Sequence, residues 1–174
     1  MAFIVEDGTG KTTATSYLSV ADADTYINVY TTRTTWTTTT DDEKETALMR
    51  ATQYLDNKYG GRYKGTRASE DQALMWPRGY AYDLSGYLLA SDELNSYLTN
   101  ATAEMADRIQ DGDDPIADQE DAAKIQSSEI KVGPIEEKTS YVGGGMTLGK
   151  VYPNVEAILK PILESNTVIK LERA

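Results

Sequence analysis

The apolar residues between Asp41 and Lys58 recur at a single spacing. Ala47, Leu48, Ala51, Tyr54 and Leu55 fall three and four positions apart, the stripe that an α-helix turns towards a core, and Gly60-Gly61 breaks the pattern. Thr40 and Glu43 stand at capping-box spacing ahead of it, and Asp41, Asp42 and Glu43 suit the positive end of the helix dipole. A second stripe of Leu94, Tyr97, Leu98, Ala101, Met105 and Ile109 predicts a longer helix, capped by Ser91, running to about Asp111 and closed by Gly112. Each helix has an oily face that must be covered, so the two predict the core of a helical bundle.

The remaining segments are arranged around that pair. Residues 1–18 read as an extended arm: Phe3-Ile4-Val5, a polar turn, then Tyr17-Leu18. Ser19 caps a first helix with Asp22 as its partner, and Val20, Ala23, Ile27 and Tyr30 form its buried stripe. In Thr31–Thr40 eight of ten residues are threonine, a poor helix, which predicts a loop anchored by Trp36. Residues 70–75 suggest one helical turn ended by Pro77, and Tyr80 to Leu89 an aromatic, glycine-punctuated loop packed on the core. Glu129 to Tyr141 alternates as a strand with Ile130 and Val132 on one face, and Gly133-Pro134 allows a bend. Gly143-Gly144-Gly145 reads as a hairpin turn or flexible tip. Pro153 opens a short helix with Val155, Ile158 and Leu159, and Thr167 to Leu171 reads as an edge strand or docking tail. The expected fold is mainly α: three to four helices with a small β element or arm and extended termini. It forms one domain over 1–174, divided into an arm (1–18), a helical core (19–111), an acidic connector (112–128) and a β arm, short helix and tail (129–174).

The chemistry is restricted by two absences. The chain has no histidine and no cysteine, which removes the usual general base, thiolate chemistry and the commonest metal ligands. An enzyme is not expected, nor a cofactor or metal. Gly8-Thr9-Gly10-Lys11 resembles the end of a phosphate-binding loop, but Val5 stands where that loop needs its first glycine, so a flexible turn is expected. Asp111-Gly112-Asp113-Asp114 lacks the spacing and terminal glutamate of a calcium loop and reads as solvated charge. No apolar run approaches the ~20 residues that span a bilayer, and Met1 to Asp7 has neither the basic start nor the apolar core of a secretory signal.

Charge is uneven within a net −11. Glu104 to Asp121 holds eight acids and one base, whereas Lys58 to Arg78 holds five bases and two acids. The bases Lys58, Arg62, Lys64, Arg67 and Arg78 lie among tyrosines, and two readings fit. They face a partner protein, with Arg78 able to clamp a carboxylate, or they contact single-stranded DNA while the aromatics stack its bases. The overall acidity favours the first. Tyr54, Leu55 and Trp76 are expected in the core.

The order of these pieces resembles the head–tail connector, or adaptor, proteins of tailed bacteriophages, some labelled DnaT-like single-stranded DNA-binding proteins. The matching stretches are Phe3 to Gly10, Ser16 to Tyr26 and Glu43 to Asp56. Gln72-Ala73-Leu74-Met75-Trp76-Pro77-Arg78 follows, then Val132 to Ile135 and Tyr152-Pro153. The resemblance implies a virion neck protein made in the host cytoplasm, forming a ring of about twelve copies on the portal. That ring would extend the DNA channel, let duplex DNA pass without specific binding, and dock a tail or tail-completion protein. It suggests Lys58, Arg62, Lys64, Arg67 and Arg78 near a subunit or portal contact, with Val168, Ile169 and Leu171 in a docking tail. Single-stranded DNA binding is the alternative function.

Overall fold

The computed structural model describes residues 2–115, 127–132, 135–140 and 152–165, the two central spans by their backbone course. The helices are α1 (Val20–Tyr30), α2 (Thr35–Thr38), α3 (Asp41–Tyr59), α4 (Ser96–Gln110) and α5 (Pro153–Leu159). Strands β1 (Thr66–Arg67) and β2 (Arg78–Gly79) pair antiparallel, as do β3 (Ser127–Val132) and β4 (Ile135–Ser140), with Val132 opposite Ile135. The fold is mainly helical with small two-stranded elements, as the sequence predicts. The chain divides into two compact units, Met1–Asp113 with Pro153–Ala174, and Asp114–Tyr152.

Within the first unit α4 is the hub, packing against α1, α2, α3 and α5. Its composition explains this. Ala101, Thr102, Ala103 and Ala106 are buried, and such short side chains let several helices approach one axis. The α3 stripe Ala47, Leu48, Ala51, Tyr54 and Leu55 is buried as expected, beneath a capping box formed by Thr40 and Glu43. Trp76 is fully buried and its Trp76–Pro77 peptide is cis.

Several expectations need correction. The long helix starts at Ser96, not after Ser91: the Asn95 side chain accepts the Leu98 amide at 3.0 Å and caps it there. The preceding backbone is held against the N-terminal loop, where a Cβ on Gly8 (φ +99°) would lie 2.1 Å from the Asp92 carbonyl oxygen. Tyr30 is 71% exposed, because α1 ends there and its buried face comprises Ala23 and Ile27. Residues 70–75 form bends, not a helical turn; Gln72 is buried, and its side-chain amide donates to the Leu74 and Pro77 carbonyls in place of helical pairing. The Thr-rich stretch is anchored by the fully buried Trp36, as expected, but contains the single turn α2.

The N-terminal arm is folded back on itself. Val5 bridges Ser16, the Glu6 amide donates to the Ser16 carbonyl at 2.9 Å, and Tyr17 and Leu18 are buried. Its turn is built, not flexible. The Glu6 carboxylate sits inside it and accepts the amides of Asp7 (3.1 Å), Gly8 (2.9 Å), Gly10 (2.9 Å) and Lys11 (2.8 Å). The loop that resembles a phosphate cradle therefore wraps an anion belonging to the chain itself. The Gly143 turn and the Thr167–Leu171 tail lie outside the described residues.

Candidate docking surface

One carboxylate, Asp56, helps to tie the segment that carries the basic run to the core. Tyr17 donates its hydroxyl to Asp56 Oδ1 at 2.6 Å, and the Met75 amide donates to Oδ2 at 3.0 Å. The Trp76 amide donates to the Tyr17 hydroxyl at 3.1 Å, so α3, the N-terminal arm and the residues before Pro77 meet at Asp56. Burial pushes the Asp56 carboxyl up to about 6, against the opposing effect of these hydrogen bonds.

That shift has a signed consequence. A carboxyl raised from 3.8 to about 6 in the folded state binds protons more tightly there than when unfolded. Stability from this group is therefore greatest below about pH 4 and declines as pH rises through 6, by about 3 kcal/mol in total. Buried Asp107, also raised, acts in the same direction, whereas Glu43 is lowered and acts oppositely at the acid end of that window. Urea titrations between pH 4 and 7.5 are expected to show this decline in the native protein and a shallower one in Asp56→Asn.

The bases are engaged within the fold. Lys58 donates to the Tyr54 hydroxyl at 2.7 Å and lies over the Tyr54 and Tyr59 rings; burial lowers its pKa. Arg62 meets Glu156 at 3.5 Å. Lys64 donates to the carbonyls of Tyr82 (3.0 Å) and Pro161 (2.8 Å). The Arg67 guanidinium donates to the Gln72 carbonyl, although much of its side chain is exposed. Arg78 donates to the carbonyls of Lys64 (2.9 Å), Gly65 (2.7 Å) and Met75 (3.2 Å), so its fork clasps the β1–β2 region. The close approach there depends on Gly65 (φ +75°), where a Cβ would lie 2.3 Å from the Gly79 carbonyl oxygen. Val168, Ile169 and Leu171 lie outside the described residues.

One of these bases, Lys64, also holds the adjoining loop through the Tyr82 carbonyl. Tyr82 bridges Leu88, and the Leu89 amide donates to the Ala81 carbonyl at 2.8 Å, making a short hairpin. Asp83 fixes its tip: its carboxylate accepts the amides of Ser85 (2.8 Å) and Tyr87 (2.9 Å), and Gly86 turns at φ +83°. Only Ala81 in Tyr80–Leu88 is fully buried. Tyr80, Tyr82, Leu84, Tyr87 and Leu88 all project outwards, Tyr80 from φ +58°. The expectation that this loop packs on the core is thus overturned: the turn satisfies its own backbone and leaves its apolar side chains free. The sequence carried a signal for this in Asp83-Leu84-Ser85-Gly86, a turn tetrad between aromatic residues.

Beside the hairpin a groove of about 540 Å3 is lined by Leu84, Leu163, Ala157, Arg62, Lys64 and Lys160, with Glu156 and Glu164 also on its wall. A second groove of about 730 Å3 runs along α1, with Tyr26, Val29, Tyr30 and Leu94 on its apolar wall. Val29 and Tyr30 are strongly exposed, and the Tyr26 and Tyr30 rings lie 4.8 Å apart. Among the described residues no group of carboxylates is placed to hold a metal ion, and no helix is long and apolar enough to cross a membrane.

Compared with known proteins, the chain is matched over residues 1–174 by the family described as "Putative DnaT-like ssDNA binding protein". No curated protein and no solved structure matches it.

Proposed function

We propose that this chain, which belongs to the DnaT-like ssDNA-binding protein family, works as a structural adaptor that docks on other proteins and catalyses nothing. In its specific form this is a tailed-phage head–tail connector, a ring on the portal that extends the DNA channel and receives the tail. One observation carries the reading. The cations of Lys58 to Arg78 are bonded inside the fold, while the neighbouring hairpin exposes five large apolar side chains on a braced backbone. A pre-organised apolar projection suits protein docking, since little ordering remains to be done on binding. Mixing the protein with purified portal rings and sedimenting the mixture tests it. Co-sedimentation is expected, and a chain that remains in the supernatant overturns the reading.

The family's description supports a second reading, single-stranded DNA binding, more directly than it supports the first. Exposed Tyr80, Tyr82 and Tyr87 offer stacking faces for it. Charge opposes it: the cations of Lys58 to Arg78 are bonded inside the fold, within a chain of net −11. Anisotropy titration with a labelled oligonucleotide separates the two. The adaptor reading expects no binding at about 150 mM salt. Tight binding with a steep salt slope, lost in Tyr80→Ala/Tyr87→Ala, establishes the second reading instead.

A further inference from the structure

The hairpin is one of two strongly exposed apolar surfaces among the described residues. The other is Val29 and Tyr30 on α1; the remaining exposed large apolar side chain is Met75. The grooves beside these surfaces share no residue, so they are separate faces of one unit. Their charge differs. Arg62, Lys64 and Lys160 line the groove at the hairpin against two glutamates, whereas four carboxylates, Glu6, Asp7, Asp22 and Glu93, line the α1 groove and no cation does.

The two shapes are also complementary. The hairpin is a projection whose only charged side chain, Asp83, is engaged by its own turn amides. The α1 surface is a concavity walled by tyrosine, valine and leucine. A projection with the exposed Lys160 at its base fits a groove that carries both apolar side chains and carboxylates, and each would cover what the other leaves exposed.

We infer that the Tyr80–Leu88 hairpin of one copy seats in the α1 groove of a second copy, with Leu84 and Tyr87 as the inserted side chains. This rests on the ring reading above and assigns its subunit contact to two named surfaces. Such a contact joins unlike faces, so an open chain of copies ends in one unused hairpin and one unused groove until the assembly closes. Exposed Val29 and Tyr30 are then one wall of a contact, and the braced turn at Asp83 is what keeps the projection ready to enter it.

The test uses paired variants of the full chain, each checked for native helicity by circular dichroism. Leu84→Asp/Tyr87→Asp disables the hairpin and Val29→Asp/Tyr30→Asp disables the groove. Sedimentation equilibrium is expected to show concentration-dependent assembly of the native chain, with apparent dissociation constants raised more than about tenfold in each double variant. Mixed in equal amounts, the two double variants are expected to form a dimer and nothing larger. Only one hairpin–groove pair is intact in that mixture. Native-like assembly of either double variant, or a mixture that stays monomeric, overturns the inference. A native chain that is monomeric at every concentration yet co-sediments with portal rings also overturns it while leaving the adaptor reading standing; failure to join the portal removes that reading itself.

Discussion

Replacing Arg33 with alanine is expected to lower the unfolding free energy by about 3–5 kcal/mol, the cost of leaving a buried carboxylate without its partner. Arg33 reaches from the Thr-rich stretch to the last two turns of α4. Its guanidinium donates to Asp107, whose side chain is fully buried, and lies 3.7 Å from Glu104 and 3.8 Å from Asp111. Three acids near a helix C-terminus oppose the helix dipole, so the site depends on an added cation. Arg108 bonds Glu104 at 2.8 Å. Burial raises the Asp107 carboxyl, and Arg33 opposes that rise. In the variant Asp107 should take up a proton nearer neutrality, and the Thr31–Thr40 hook should loosen from α4. Urea titration measures the first effect; hydrogen exchange in α2 and at the Trp36 indole measures the second. An Asp107→Asn change made in the Arg33→Ala background should recover part of the loss, because the unpaired charge is gone. A loss under 1 kcal/mol in Arg33→Ala would show that solvent reaches Asp107.

Glu6→Ala is expected to cost about as much, on the order of 3 kcal/mol or more, for a different reason. The carboxylate accepts four backbone amides of its own loop, one bond buried and three part-buried, and a buried donor left without an acceptor costs about 1–3 kcal/mol, a part-buried one less. Water entering the vacated space would recover part of this. Glu6→Gln keeps the shape but places an amide group among amides, so it should rescue little. The damage should spread. Gly8 lies against the Asp92 backbone, and Tyr17 at the end of the arm carries a bond to Asp56, so disorder in the turn should reach the lead-in to α4 and the residues before Trp76. Thermal unfolding monitored by tryptophan fluorescence and by far-ultraviolet circular dichroism should show the midpoint falling by roughly 10 °C or more. Retention of the native midpoint would mean that the turn is held by other bonds, such as that of the Lys11 ammonium to the Val5 carbonyl at 2.8 Å.

The chain's periodic parts were legible in its residues. The α3 stripe, its capping box, the Ser19 cap of α1, the Pro153 start of α5 and the burial of Trp36, Leu55 and Trp76 follow from spacing and side-chain type. These are local properties, set by which residues stand three or four apart and by which oxygen reaches a free amide. The absence of histidine and cysteine likewise fixed in advance which chemistry was unavailable.

Tertiary structure decided what the remaining residues do, because their partners lie far away in sequence. Nothing local in Thr31–Thr40 says that Arg33 will meet Asp107, 74 positions on. Nothing in Lys58 to Arg78 says that its cations will find carbonyls and a phenol at Tyr54, Tyr82 and Pro161. The sequence could mark the Tyr80–Leu88 stretch as aromatic and turn-rich. Whether those side chains faced inwards or outwards depended on Asp83 closing the turn on itself, which leaves the apolar atoms without a place in the core.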